Sequence, residues 1–158
     1  MLTLAECPND QFFKAVNTLF ETAPLLADQL EQNRPYNSYS DLIDKAKSLV
    51  ANMHEKDRIA VVNAHPRIGA PVATLSALSL QEQGDTSANV SEKLEILNKE
   101  YETQFGFKFV IFVNGRPKSE IVTVLQARLK NAGSEELETG LQAMMLIAHD
   151  RLRKLGQE

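Results

Sequence analysis

The chain has 158 residues, 43% of them hydrophobic and 24% charged, with a formal net charge of −4 at pH 7. Such a length allows one domain with a substantial core, and such a balance is ordinary for a globular protein. The charge gives no electrostatic reason to expect nucleic acid or an anionic membrane as partner. No apolar run is long enough to span a bilayer, and the lone Cys7 rules out a disulfide framework or a thiolate metal cluster.

Glycine and proline are scarce, and the apolar residues mostly recur at helical spacing. Asn9 or Asp10 is placed to cap a first helix carrying Phe12, Phe13, Val16, Leu19 and Phe20. Pro24 opens a second, with Leu25, Leu26 and Leu30 on one side. "NRPYNS" breaks the pattern. Ser40 caps a third helix whose Leu42, Ile43, Ala46, Leu49, Val50 and Met53 are spaced to face a core. Residues 55–64 predict a short fourth helix. It ends at His65–Pro66, because the residue before a proline is pushed out of the helical region. "VATLSALSLQEQG" reads as a fifth helix stopped at Gly84. "DTSAN" is a polar loop, and Ser87 or Asn89 caps a long sixth helix with Leu94, Leu97, Tyr101 and Phe105.

"FKFVIFV" differs, because its β-branched and aromatic residues favour an extended chain. It lies between Gly106 and "NGRP", and no second strand is evident to pair with it. It therefore reads as a short, fully buried extended connection rather than part of a sheet. "KSEIVTVLQARLKN" is a helix after Pro117, and Ser134 with Glu135 and Glu136 starts the last one, running to about Leu155. The expected class is all-α: a single compact domain over residues 1–158, with about eight helices and one short buried extended segment. "MLTLAECPND" lacks a basic region followed by an apolar stretch, and "KLGQE" is not a peroxisomal tripeptide. The cytoplasm is the expected compartment.

Few residues stand out as chemical. His54, near a helix end in "ANMHEKD", reads as solvated, and His149 in "IAHDRLRKL" as a surface or helix-terminus residue. His65 stands where a helix must stop, held by Pro66. It is either a capping histidine bonded to a helix-end carbonyl or a side chain presented for chemistry. In "SLQEQG" the three-residue spacing puts Ser79 and Glu82 on one helical face, which also suits a solvated helix end. Arg151 suits the last turn of a helix on dipole grounds alone. There is no HExxH, no ligand spacing among the histidines, no GxGxxG or Walker loop and no GxSxG elbow.

Taken in order, "LFETAPLLADQLEQNRPYNSYSDL", "AHPRIG", "SLQEQG", "LNKEYETQFGFKFVIFVNGRPKSEIVTVLQARLKN" and "IAHDRL" resemble the 2-oxo-4-hydroxy-4-carboxy-5-ureidoimidazoline (OHCU) decarboxylases of urate breakdown. The resemblance covers roughly residues 10–155. It implies a helical fold peculiar to the family, no metal or organic cofactor, and conversion of OHCU to (S)-allantoin and carbon dioxide. His65 matches the family's catalytic histidine and Glu82 its catalytic glutamate. Pro66, Ser79, Gln83 and Arg151 match substrate-pocket positions, and the backbone of Phe109, Val110, Ile111, Phe112 and Val113 matches a stretch lining that pocket. One departure is visible: the family more often has an acidic residue where Arg67 stands, and an added cation beside His65 would lower its pKa.

The implied partner is the small-molecule substrate, with no nucleic acid and no membrane, and a homodimer is compatible with it. Two rivals are a cofactor-free hydrolase of a related cyclic ureide, which would release no carbon dioxide, and a helical interaction domain with no concave pocket.

Overall fold

In a computed structural model, the structure describes residues 6–21, 24–68 and 88–155, with only the backbone at 88 and 89. Among the described residues there are seven helices and no strand. They are α1 (Asn9–Phe20), α2 (Pro24–Gln32), α3 (Tyr39–Ala51), α4 (Glu55–Asn63), α5 (Ala88–Phe105), α6 (Lys118–Arg128) and α7 (Gly133–Lys154). The expected all-α class is what the chain adopts. The helix expected over "VATLSALSLQEQG", with Ser79, Glu82 and Gln83, lies outside the described residues, as does Ser87. No helix among the described residues is long and apolar enough to cross a membrane.

The chain divides into two units, residues 1–64 with 144–158, and residues 65–143. In the first, α1 packs on α2, and α2 on α3 and α4. Its core takes Phe12, Val16, Leu19 and Phe20 from α1, Leu26 and Leu30 from α2, Leu42, Ile43, Ala46 and Val50 from α3, and Val61 and Val62 from α4. The apolar spacing therefore chose the buried faces, with exceptions. Leu25 is 37% exposed, and Ala27 takes the buried place on α2 instead.

Two caps sit elsewhere than expected. Pro8 holds the N-cap of α1, so Asn9 and Asp10 lie inside the first turn, and the Asn9 carboxamide oxygen instead accepts from Arg34 Nη1 at 3.1 Å. Ser38, not Ser40, caps α3, its hydroxyl accepting from the Asp41 N–H at 3.1 Å. An N-cap must be non-helical to present its oxygen to the first turn, and Ser38 is extended (φ −154°, ψ 167°) whereas Ser40 is already in the helix.

In the second unit α5 packs on α6. Asn89 is the second residue of α5 and so cannot cap it. Gly106 ends α5 in the left-handed region (φ 81°), its N–H donating to Glu102 O at 2.8 Å, the usual exit from a helix without steric cost. The chain then runs to Val113 outside any helix or strand. Phe107, Phe109, Val110 and Val113 are buried. Ile111 and Phe112 are only half-buried, so the segment is less enclosed than a fully buried connection. Asn114 (φ 49°) and Gly115 (φ 74°) turn it into α6, with Arg116 N–H donating to Val113 O at 3.1 Å.

Candidate active site

A segment outside any helix or sheet must satisfy its backbone by other means. Here arginine side chains take the carbonyls. Arg128 Nη1 donates to Val110 O at 3.0 Å, Arg116 Nη2 to Phe112 O at 2.6 Å and Arg116 Nε to Val113 O at 3.0 Å. The Arg128 guanidinium also lies over the Phe109 ring, 4.5 Å from its centroid. The N–H groups from Phe109 to Val113 donate to no described residue. Backbone donors with no protein acceptor, in a segment where Phe109, Val110 and Val113 are buried, are what an acceptor-rich small molecule would use.

Arg128 is itself held. Its Nε donates to Glu136 Oε1 at 2.8 Å, and the same oxygen accepts from the Tyr101 hydroxyl at 2.7 Å. Asn131 Nδ2 donates to Glu136 Oε2 at 2.8 Å. Glu136 is fully buried, so the pair persists because three donors meet the carboxylate. Burial, and then the hydrogen bond to Glu136, push the Tyr101 phenol well above its ordinary range. The Tyr101 ring meets Phe109 edge-on, with centroids 5.3 Å apart. One buried cluster thus grips the segment by a carbonyl and a ring.

His65 is the first residue past Ala64, the C-cap of α4, and is 3% exposed. The breakpoint read from His65–Pro66 is where the helix stops. Pro66 is half-buried and Ile68 buried. Arg67 Nε donates to Glu102 Oε1 at 2.7 Å, and its Nη2 pairs with Glu102 Oε2. The cation that departs from the family pattern is therefore met by a carboxylate. His54 is exposed at the N-cap position of α4, as expected of a solvated histidine, while His149 is half-buried.

Arg151 lies in the first unit. It does occupy the last turn of α7, but helix-dipole complementarity is not its whole role. It is 1% exposed, with Nη1 donating to Thr18 O at 3.1 Å and Nη2 paired with Glu21 at 2.9 Å. Arg153 and Lys154 are the outward cations of that turn, and both pair with Asp150. Burial pushes the Asp150 carboxyl up, but the bonds from Lys154 and Arg153 outweigh it and hold it below its ordinary value.

His65 and Phe109–Val113 therefore belong to one unit and Arg151 to the other. Sequence reasoning passed over Glu21, Asn98, Glu102, Arg128 and Glu136. A signal existed for Asn98: a poor helix former sits on the Leu94–Tyr101 face, where an apolar residue would be usual.

A family profile described as OHCU decarboxylase matches residues 5–153. A uric acid degradation bifunctional protein of Bacillus sp. (strain TB-90) is 30% identical over 98% of this chain and 32% of that protein. The chain thus spans about a third of that relative. The 2-oxo-4-hydroxy-4-carboxy-5-ureidoimidazoline decarboxylase of Xenopus laevis is 27% identical over 95% of this chain and 90% of its own. Among solved structures, an OHCU decarboxylase crystallised in the presence of (S)-allantoin superposes with a TM-score of 0.74 at 26% identity, covering 91% of this chain and 99% of that one.

Proposed function

The chain belongs to the OHCU decarboxylase family, and from that premise we propose that it decarboxylates OHCU to (S)-allantoin in urate degradation, without a cofactor. The observation that carries this beyond family membership is that the N–H groups from Phe109 to Val113 donate to no described residue. A ureido-substituted ring presents the oxygens that such donors would bind.

The substrate carries a carboxylate and a hydroxyl on one ring carbon, next to a ring C=N. When the bond to the carboxylate breaks, its electron pair flows toward the adjacent C=N, and carbon dioxide leaves. The ring nitrogen that receives the pair takes a proton, and the resulting enol then takes a proton on the neighbouring carbon and loses one from the hydroxyl, giving allantoin. The substrate is its own electron sink, so no organic cofactor is called for.

The protein's tasks are to hold the breaking bond perpendicular to the imine plane and to move protons. We assign proton transfer to His65, whose side-chain type titrates near neutrality. Glu82 accepts the hydroxyl proton or holds His65 in one tautomer. Arg151 offers a planar fork to oxygens that stay on the product, since gripping the departing carboxylate would stabilise the ground state. Pro66, Ser79 and Gln83 complete the substrate contacts. The roles of Ser79, Glu82 and Gln83 rest on the sequence resemblance. The family match from residue 5 to 153 supports reading the chain as one domain. We place it in the cytoplasm, with the small-molecule substrate as partner rather than nucleic acid or a membrane; a homodimer is compatible with this assignment.

The test is to generate OHCU freshly from urate and follow carbon dioxide release and optically active allantoin together. Both should rise in proportion to enzyme. A hydrolase of a related cyclic ureide would raise neither, and racemic product with faster gas release would remove proton delivery from the protein.

A further inference from the structure

We propose that Asn98 and Glu102 are positioning residues for His65, fixing the turn that carries it; this rests on the assignment of proton transfer to His65. A histidine just beyond a helix end lies outside that helix's hydrogen-bond ladder. On its C-terminal side the anchoring comes from α5. Asn98 and Glu102 are four residues apart and so lie on one face of that helix.

Asn98 is 2% exposed and donates from Nδ2 to Ile68 O at 2.8 Å. Glu102 receives Arg67 through both carboxylate oxygens. Two consecutive residues, Arg67 and Ile68, are thereby fixed to a rigid helix. Only Pro66 separates them from His65, and its ring sets its own φ. The turn that follows His65 is thereby held, which is what a proton-transfer group needs, because catalytic rates fall steeply with small displacements.

Asn98 and Glu102 do not share the work equally. The Asn98 bond is buried and goes to a carbonyl that has little access to water, so removing the donor is expensive. The Arg67–Glu102 pair is more exposed, with side chains 44% and 20% accessible, and exposed ion pairs contribute modestly.

The experiment uses the full chain with OHCU made freshly from urate. Asn98→Asp, of equal shape but with no donor, should lower kcat by about 10- to 100-fold while KM changes far less. The optical purity of the allantoin should fall as the uncatalysed route competes. Glu102→Arg and Arg67→Glu should each lower kcat a few-fold, roughly what an exposed pair is worth, and the double variant R67E/E102R should restore it.

Unchanged kcat in folded variants with lowered thermal stability would overturn the proposal, leaving a purely structural contact. If Asn98→Asp does not fold, the charge-swap series decides alone. A second readout needs no turnover: the imidazole NMR resonances of His65 should shift and broaden in Asn98→Asp and return toward wild type in R67E/E102R relative to its single variants. Wild-type protein that fails to accelerate OHCU loss would sink the proposed function, and the His65 resonances would still test the positioning; resonances unmoved by all these substitutions would overturn it.

Discussion

Glu136→Ala should be among the most damaging single substitutions in the second unit. The carboxylate is fully buried and accepts from Tyr101, Arg128 and Asn131 at 2.7–2.8 Å. Without it, Arg128 keeps a charge in a position only 8% exposed. Breaking a buried pair from one side costs about 3–5 kcal/mol, a large share of the ~5–15 kcal/mol by which a domain is stable. For a chain of this length each kcal/mol moves Tm by about 2–4 °C, so a fall of roughly 6–20 °C is expected. Urea and thermal unfolding followed by far-ultraviolet circular dichroism measure it, with exposed Glu135→Ala as the control, expected within about 0.5 kcal/mol of wild type.

Arg128→Met/Glu136→Met removes the charge as well as its partner, so it should cost less than the two single substitutions added together. The functional consequence follows from Arg128 Nη1 on Val110 O. At temperatures where Glu136→Ala is folded, the 109–113 segment loosens and KM for OHCU should rise. A loss below 1 kcal/mol for Glu136→Ala would refute the view that this carboxylate organises the segment.

Three further outcomes follow. His65→Ala should lower turnover by about 10²–10⁴-fold, the usual worth of positioned acid–base catalysis, with helical content unchanged; near-wild-type turnover would rule out its assigned role. Activity should survive exhaustive chelation, and loss reversed by one added divalent metal would show a metal-dependent reaction. Tyr101 keeps its proton in the folded chain beyond the unfolded value of about 10. The unfolded chain therefore releases that proton first, so stability is full below about pH 10 and declines as pH rises toward the folded value. Tyr101→Phe should flatten that alkaline decline in urea midpoints, and an unaltered slope would exclude Tyr101 as its source.

Helices were legible where periodicity and breakers agreed. The stop at His65–Pro66 follows from proline sterics alone, and the buried faces of α1 and α3 from apolar spacing. Caps were harder, because several polar residues cluster before each helix and only backbone conformation decides among them; Ser38 and Ser40 are two residues apart and one is already helical. The run from Phe107 to Val113 was legible as lying outside any sheet, and no strand among the described residues receives it. What stabilises it was not. Arg128 and Arg116 reach its carbonyls from positions that no motif or spacing singles out, and nothing local distinguishes buried Glu136 from exposed Glu135 beside it. Such pairings are set by tertiary approach, which spacing does not encode.

Glu21 shows what such a pairing can demand of the backbone. It follows the last residue of α1 with φ 58° and ψ −163°, a region that residues other than glycine rarely enter and that costs about 1–3 kcal/mol. Its carboxylate meets Arg151 Nη2 at 2.9 Å, and Arg151 is almost wholly buried. The strain persists because losing a buried pair is the larger penalty, about 3–5 kcal/mol. Glu21→Gly relieves the backbone but removes the carboxylate, so it should be less stable than wild type by the difference, about 2 kcal/mol. Glu21→Gly with Arg151→Met has neither a strained residue nor a buried cation, and should be more stable than Glu21→Gly alone but less active, because the proposed substrate contact of Arg151 is gone. Glu21→Gln retains an acceptor for Arg151 and should keep more activity than Glu21→Gly. Should Glu21→Gly prove as stable as wild type, with no gain on adding Arg151→Met, the ion pair would be too weak to explain the strain, and the conformation at residue 21 would need another cause.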